Sequence, residues 1–222
     1  FTSSLIFGQI SNINNGYEYS FAPVAHAAAN LAISGEKFQM SGSSKFFLML
    51  SYFDGLGASD STLQSDFSSL KSKGFDGIRI MVNWPCEGCS YSSTGHRLAQ
   101  KDSSGNYTSA INTTSLSRLK SLLNIADNNS LIVDVTFHDA ENFTSVSTYN
   151  TFVTEVAKQI PSGTYKNAIF DLGNEGNQNG LTTIQMQTLR DMVKNIDSGR
   201  YVSFSRTGGN GGESSYVGQL NL

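Results

Sequence analysis

The chain is poor in cysteine, proline and charge, and each shortage closes off a class of protein. Its two cysteines, Cys86 and Cys89, share one Cys-x-x-Cys in Pro85-Cys86-Glu87-Gly88-Cys89, too few for a disulfide scaffold. A structural zinc site would need further ligands, and no second cysteine pair exists. A redox pair would open a helix directly after a strand, whereas these surroundings read as loop. A local loop disulfide is the expectation, with free thiols, or metal or redox use, as the alternatives. Charged residues make up only 15%, and the net charge of −3 is scattered, so neither a nucleic-acid groove nor a basic membrane patch is expected. No apolar run approaches the roughly 20 residues of a membrane span. No Gly-x-Gly-x-x-Gly follows the first strand and no phosphate loop occurs, which removes the nucleotide-binding classes. No cofactor and no metal is called for.

What the chain has in quantity is Ser, Thr, Asn and Gly, a balance common in secreted proteins. Four Asn-x-Ser/Thr sequons, at Asn106, Asn112, Asn128 and Asn142, point the same way and mark candidate glycosylation sites. The first residue is Phe1, and Ala25-His26-Ala27 superficially resembles a signal-cleavage site. The stretch before it is too polar for a leader, so residues 1–32 are expected to be an N-terminal segment of uncertain structure in the mature protein. At 222 residues the chain fits one large domain better than two.

From Ile33 to Phe46 a weak alternation between Gly-centred turns predicts a small hairpin. A regular succession follows. Phe46–Phe53 reads as an apolar strand, then Leu63, Phe67 and Leu70 mark a helix with Asp60 or Ser61 as cap and Gly74 as stop. Gly77–Trp84 is the second strand, and a long polar loop runs to about Asn112. Leu116, Leu119, Leu122, Leu123 and Ala126 mark the next helix, capped within Thr113–Ser115. Leu131–His138 is the third strand, and a helix follows from Tyr149 to Ile160, stopped by Pro161. The fourth strand, Asn167–Gly173, runs straight into Asn174-Glu175-Gly176. A helix from Ile184 to Ile196 and a fifth strand at Tyr201–Ser205 complete the pattern. Strict alternation argues for a parallel sheet, doubly wound or closed as a barrel.

Strand parity separates those two. Arg79, Met81 and Asn83 share one face, with Ile78, Ile80 and Val82 on the other. Asp134, Thr136 and His138 oppose Val133, Val135 and Phe137, and Ser203 and Ser205 oppose Val202 and Phe204. A doubly wound sheet would be apolar on both faces. One polar face fits a barrel with helices outside, so the fold class is α/β, a TIM (β/α) barrel of about five βα units in this chain, over residues 33–222. Arg79, Asn83, His138 and Asn174-Glu175 should then ring one mouth, with Asp54, Trp84 and Asp139 nearby. Each also has a purely structural explanation. Glu175 could be a solvated loop residue, Arg79 an ion-pair partner of Asp134, His138 a core hydrogen-bonding group, and Trp84 packing instead of a platform for a sugar ring.

Three stretches, Gly77–Trp84, Val133–His138 and Ile169–Glu175, resemble strands two, three and four of clan A glycoside hydrolases, the cellulase- and mannanase-like retaining enzymes. Residues 34–53 are similar to the hairpin and first strand that open many of these barrels. The resemblance implies that Glu175 is the acid/base and that Asn174 is a ligand for the sugar 2-hydroxyl or the nucleophile. It further implies that Arg79 and His138 support the catalytic carboxylates, with Asn83, Trp84, Asp54 and Asp139 as candidate substrate contacts. Retaining hydrolysis needs two carboxyls about 5–5.5 Å apart, one to protonate the leaving oxygen and one to attack the anomeric carbon.

The family's nucleophile ends strand seven, and Val217–Leu222 resembles only the start of strand six. Glu213, in a Gly-rich loop after strand five, reads as a solvated residue. Two functions from different classes follow. One is a secreted retaining glycoside hydrolase acting on a β-linked glucan or mannan, in which a further segment or second chain supplies the nucleophile and the chain alone is inactive. The other is a non-catalytic, barrel-derived, extracellular carbohydrate-binding or self-assembling protein, since open strand edges invite added strands.

Overall fold

A computed structural model of the protein describes residues 8–13, 16–21, 31–34, 37–40, 42–83, 96–138, 140–176 and 179–205. Strands β1 (Gly8–Ile13) and β2 (Gly16–Phe21) pair antiparallel as a sheet of their own. The predicted hairpin is a three-stranded antiparallel unit of β3 (Leu31–Ser34), β4 (Lys37–Met40) and β5 (Ser43–Ser44).

Then comes the alternation. It runs β6 (Met49–Ser51), α1 (Asp60–Ser72), β7 (Gly77–Met81), an insertion of β8 (Ala99–Lys101) and β9 (Tyr107–Ile111), α2 (Thr113–Asn128) and β10 (Ile132–Thr136). It continues with α3 (Val146–Gln159), β11 (Ala168–Asp171), α4 (Thr183–Ile196) and β12 (Tyr201–Ser203). The five strands β6, β7, β10, β11 and β12 lie side by side in chain order, every pair parallel. Among the described residues the sheet does not close, so the architecture is an incomplete TIM barrel.

The helices start where short polar side chains satisfy orphan backbone donors. Ser59 Oγ accepts from Thr62 N–H ahead of α1, and Asn112 Oδ1 from Ser115 N–H ahead of α2. Ser145 does the same for α3, and Thr182 with Gln185 closes a capping box on α4. Both α1 and α2 are thus capped just before the residues expected from sequence. In register, Leu50, Ile78 and Val133 share one face with Ile80, Val135, Phe170 and Val202. Apart from Leu50, which is exposed, these side chains form one core with Leu63, Phe67, Leu119, Leu123, Phe152, Val156, Leu189 and Val193 from the four helices, Val202 packing against its edge. The opposite face carries Arg79, Asp134 and Ile169 in one layer and Met81, Thr136, Asp171 and Ser203 in the next. Ile169, with Ile132 below it, packs with Leu31, Phe47 and Tyr201, so the N-terminal hairpin covers the foot of this inner face. Gly77 is required by a close approach: a Cβ there would lie 2.5 Å from the Ile132 carbonyl oxygen.

Two expectations need correction. The first strand is three residues long instead of eight, and Phe46 ahead of it is 91% exposed. Among the described residues β6 pairs only with β7, so its apolar side chains have one neighbour strand where an inner strand has two. The stretch read as a polar loop contains the antiparallel pair β8–β9, turned at Gly105 with φ +85° and braced by Asp102 Oδ1 accepting from Ser104 and Asn106 N–H. Among the described residues no helix is long and apolar enough to cross a membrane.

Candidate active site

Arg79 is the hub of the inner face. Its Nε donates to Thr136 Oγ1 at 2.9 Å and lies 3.6 Å from Asp134 Oδ2. Its Nη2 donates to Asp171 Oδ2 at 2.9 Å, Asn174 Oδ1 at 2.9 Å and Ser205 Oγ at 3.1 Å. The partners come from three other strands or the turns that follow them, so one planar guanidinium ties four strand ends together. The pair with Asp134 read from sequence as a structural role is present, and Arg79 reaches Asn174 as well. Asp171 is buried, and its other oxygen accepts from Ser205 N–H at 3.0 Å and Gly173 N–H at 3.3 Å. A buried carboxylate so surrounded has its charge compensated on both oxygens. Asp134 is held less well. Burial and the nearby Asp171 push its carboxyl up to about 7, against the pull of Arg79 and the Thr136 hydroxyl.

Past Asp171 the chain turns sharply. Asn174 N–H donates to Phe137 O at 2.8 Å, and Glu175 follows with φ +45°, a left-handed conformation that a residue with a long side chain rarely adopts. The turn is pinned by Glu175 N–H to Ser205 Oγ at 3.2 Å, Asn179 N–H to Glu175 O at 3.0 Å and Asn179 Nδ2 to Asn174 O at 2.7 Å. Because Arg79 only donates, it fixes the Asn174 amide with Oδ1 toward the guanidinium and leaves the amino group as a donor. The Glu175 carboxylate, on a half-buried residue, has no hydrogen-bonded or ionic partner among the described residues. A carboxyl beside a fixed amide donor suits proton transfer to an oxygen whose neighbouring hydroxyl the amide holds.

The other candidates fall in different places. His138 is buried at 4% exposure, two residues past Thr136. Asp54 lies past the end of β6 with Oδ1 3.7 Å from His96 Nδ1, and burial raises its carboxyl although His96 opposes this. Asn83 departs from expectation. It is 0% exposed, its Oδ1 accepts from Ala99 N–H at 2.9 Å, and its carbonyl accepts from Tyr107 OH at 3.2 Å. β7 ends at Met81, so the period-two face no longer applies two residues later, and Asn83 anchors the β8–β9 insertion instead. Trp84, Cys86, Cys89, Asp139 and Glu213 lie outside the described residues. Of the sequon residues, Asn106, Asn128 and Asn142 are exposed, while Asn112 is half-buried as the α2 cap. Among the described residues no group of three or more His, Cys, Asp or Glu side chains could hold a metal ion.

Sequence reasoning passed over Asp171 and Ser205. Period two puts Asp171 on the inner face with Ile169, but its place inside an apolar run hid it. Ser205 was placed on the right face, yet its partners depend on cross-strand register. Lower on the inner face lies a mainly apolar cavity of about 590 Å³, walled by Ile33, Phe38, Phe46, Phe47, Ile169 and Tyr201, with Lys45 and Asp134 at its edge.

Known structures share this fold. A β-1,4-D-mannanase from Cryptopygus antarcticus is 16% identical with a TM-score of 0.57, the match covering 79% of this chain and 60% of that one. An endo-1,4-β-mannanase from Rhizomucor miehei is 17% identical with a TM-score of 0.57, covering 85% and 65% respectively. A β-mannanase from the blue mussel Mytilus edulis is 16% identical with a TM-score of 0.56, covering 81% and 64%. At these identities the likeness is one of fold, and the chain spans less than two thirds of each mannanase. No curated protein sequence matches it. The cellulase family model, glycosyl hydrolase family 5, matches residues 31–210, four fifths of the sequence, and the chain belongs to that family.

Proposed function

We propose that this chain carries the acid/base half of a retaining glycosidase site acting on a β-linked polysaccharide. The observation that carries the reading is the Arg79–Asn174 hydrogen bond of 2.9 Å directly beside Glu175, at the strand ends of a family 5 chain. In this reading the Glu175 carboxyl gives its proton to the glycosidic oxygen as the C–O bond breaks. It then takes a proton from the water that releases the sugar. The Asn174 amino group holds the sugar 2-hydroxyl, a contact that strengthens as charge develops at the anomeric carbon. That assignment displaces Asn174 as nucleophile, since an amide with its oxygen bound to a guanidinium is a poor attacking group.

Asp134 and Asp171 are committed to Arg79 and Asp54 sits beside His96, so we place the nucleophile outside the described residues. A further segment or second chain pairing with the edges of β6 and β12, which have no partner strand among the described residues, would bring it. The names of the structural neighbours make β-1,4-mannan the first substrate to try, with β-glucan second. A secreted setting agrees with the exposed sequons at Asn106, Asn128 and Asn142. The test is Glu175→Gln in the intact protein, which should lower polysaccharide turnover by roughly 10²- to 10⁴-fold. Undiminished turnover would overturn the assignment.

A further inference from the structure

Ser205 sits where two parts of the site meet. Its hydroxyl accepts from Arg79 Nη2 at 3.1 Å and from Glu175 N–H at 3.2 Å, and donates to Asn174 Oδ1 at 3.3 Å. A hydroxyl offers one donor and two acceptor positions, and all three are used. Its own amide donates to Asp171 Oδ1 at 3.0 Å, so the serine is fixed from both its backbone and its side chain. Among the described residues it is the one side chain bonded to both the guanidinium and the Glu175 backbone. That backbone is the left-handed residue of the turn, at φ +45°. Such a conformation persists only where its surroundings hold it.

We propose that Ser205 is a positioning residue for the acid/base. It holds the Glu175 peptide in its left-handed turn and locks that turn to the Arg79 network, so the carboxyl meets the leaving oxygen in a fixed geometry. This rests on the reading of Glu175 as acid/base. A displacement of about 1 Å is enough to cost a large factor in such a transfer.

The test is Ser205→Ala in the intact protein, assayed on β-mannan and on a dinitrophenyl β-glycoside, with Ser205→Thr as the variant that keeps a hydroxyl. Departure of dinitrophenolate needs no proton, so its burst reports the first step without the acid. The expected result is a fall in kcat of about tenfold or more on mannan, KM within about twofold and an unchanged dinitrophenolate burst. Ser205→Thr should restore most of the loss. Hydrogen exchange at the Glu175 amide should quicken in the alanine variant and stay slow in the threonine variant. An equal loss on both substrates would mean general damage, and no loss would mean no positioning role. Either result overturns the proposal. Should Glu175→Gln keep full turnover on mannan, the acid/base reading fails by itself. The Glu175 amide exchange rate still decides then whether Ser205 holds the turn.

Discussion

Two arginines occupy opposite ends of the parallel sheet, and their partners differ in kind. Arg200, just before β12, donates to the carbonyls of Ile160 at 2.6 Å, Tyr165 at 3.0 Å and Ala168 at 2.5 Å, and stacks 4.6 Å over the Phe170 ring. Arg79, whose side chain reaches the other ends of the strands, bonds only side chains among the described residues: Thr136, Asp171, Asn174 and Ser205. Backbone carbonyls are present whatever the sequence, so the Arg200 end is a lock on the chain path. The Arg79 end depends on a particular acid, amide and hydroxyl, a combination that folding alone does not demand. In barrels of this kind the N-terminal strand ends serve stability and the C-terminal ends serve chemistry. If the proposed function holds, each role has its own arginine here.

The strongest way to break this comparison is at Arg200. Burial draws its guanidinium down to about 10, with Asp197 opposing, so it stays charged at neutral pH. Arg200→Met would leave three buried carbonyls short of a donor and Asp197 short of its cation. The expected loss of folding stability is about 3–5 kcal/mol by denaturant titration. Activity per folded molecule should change by less than about twofold. At Arg79 the pattern should invert. Arg79→Lys keeps the charge but not the fork, so turnover should fall by about 10²-fold while stability drops by about 1–2 kcal/mol. Equal effects of the two variants on activity would erase the distinction.

A smaller effect sharpens it further. Asp134 sits in the Arg79 layer with its carboxyl raised to about 7, first by burial and then by Asp171. Between about pH 4 and 7 the folded protein therefore binds a proton there that the unfolded chain has released. The stability this contributes is complete below about pH 4 and is lost as pH rises through about 7. Asp134→Asn cannot ionise, so its stability should be flatter between pH 4 and 8, and at pH 8 it should be the more stable protein. A parallel pH dependence in variant and wild type would place the titration elsewhere.

The helices and strands were legible because parity and period carry them. Ile78 and Ile80 against Arg79, or Val133 and Val135 against Asp134, separate the faces before any contact is known. The Asn174–Arg79 pairing was within reach for the same reason, since both residues map to one mouth. Asn83 was misplaced because parity was carried past the end of β7. The first strand reads as longer from sequence because the apolar run Phe46–Phe53 does not distinguish an outer strand, paired on one side among the described residues, from an inner one. The β8–β9 insertion was hidden by its polar composition, although Asp102-Ser103-Ser104-Gly105 between Ala99 and Tyr107 was a turn signal. Asp171 and Ser205 needed the register of β11 against β10 and β12, which only the fold supplies.

The most direct measurement of the central claim is the product formed by Glu175→Ala from a dinitrophenyl β-glycoside in sodium azide. The leaving group departs without the acid, and azide then attacks the glycosyl-enzyme without needing a base. If Glu175 is the acid/base, the product is the β-glycosyl azide, formed faster as azide is added. An α-glycosyl azide would make Glu175 the nucleophile, and no azide product with mannan turnover intact would remove it from the chemistry altogether.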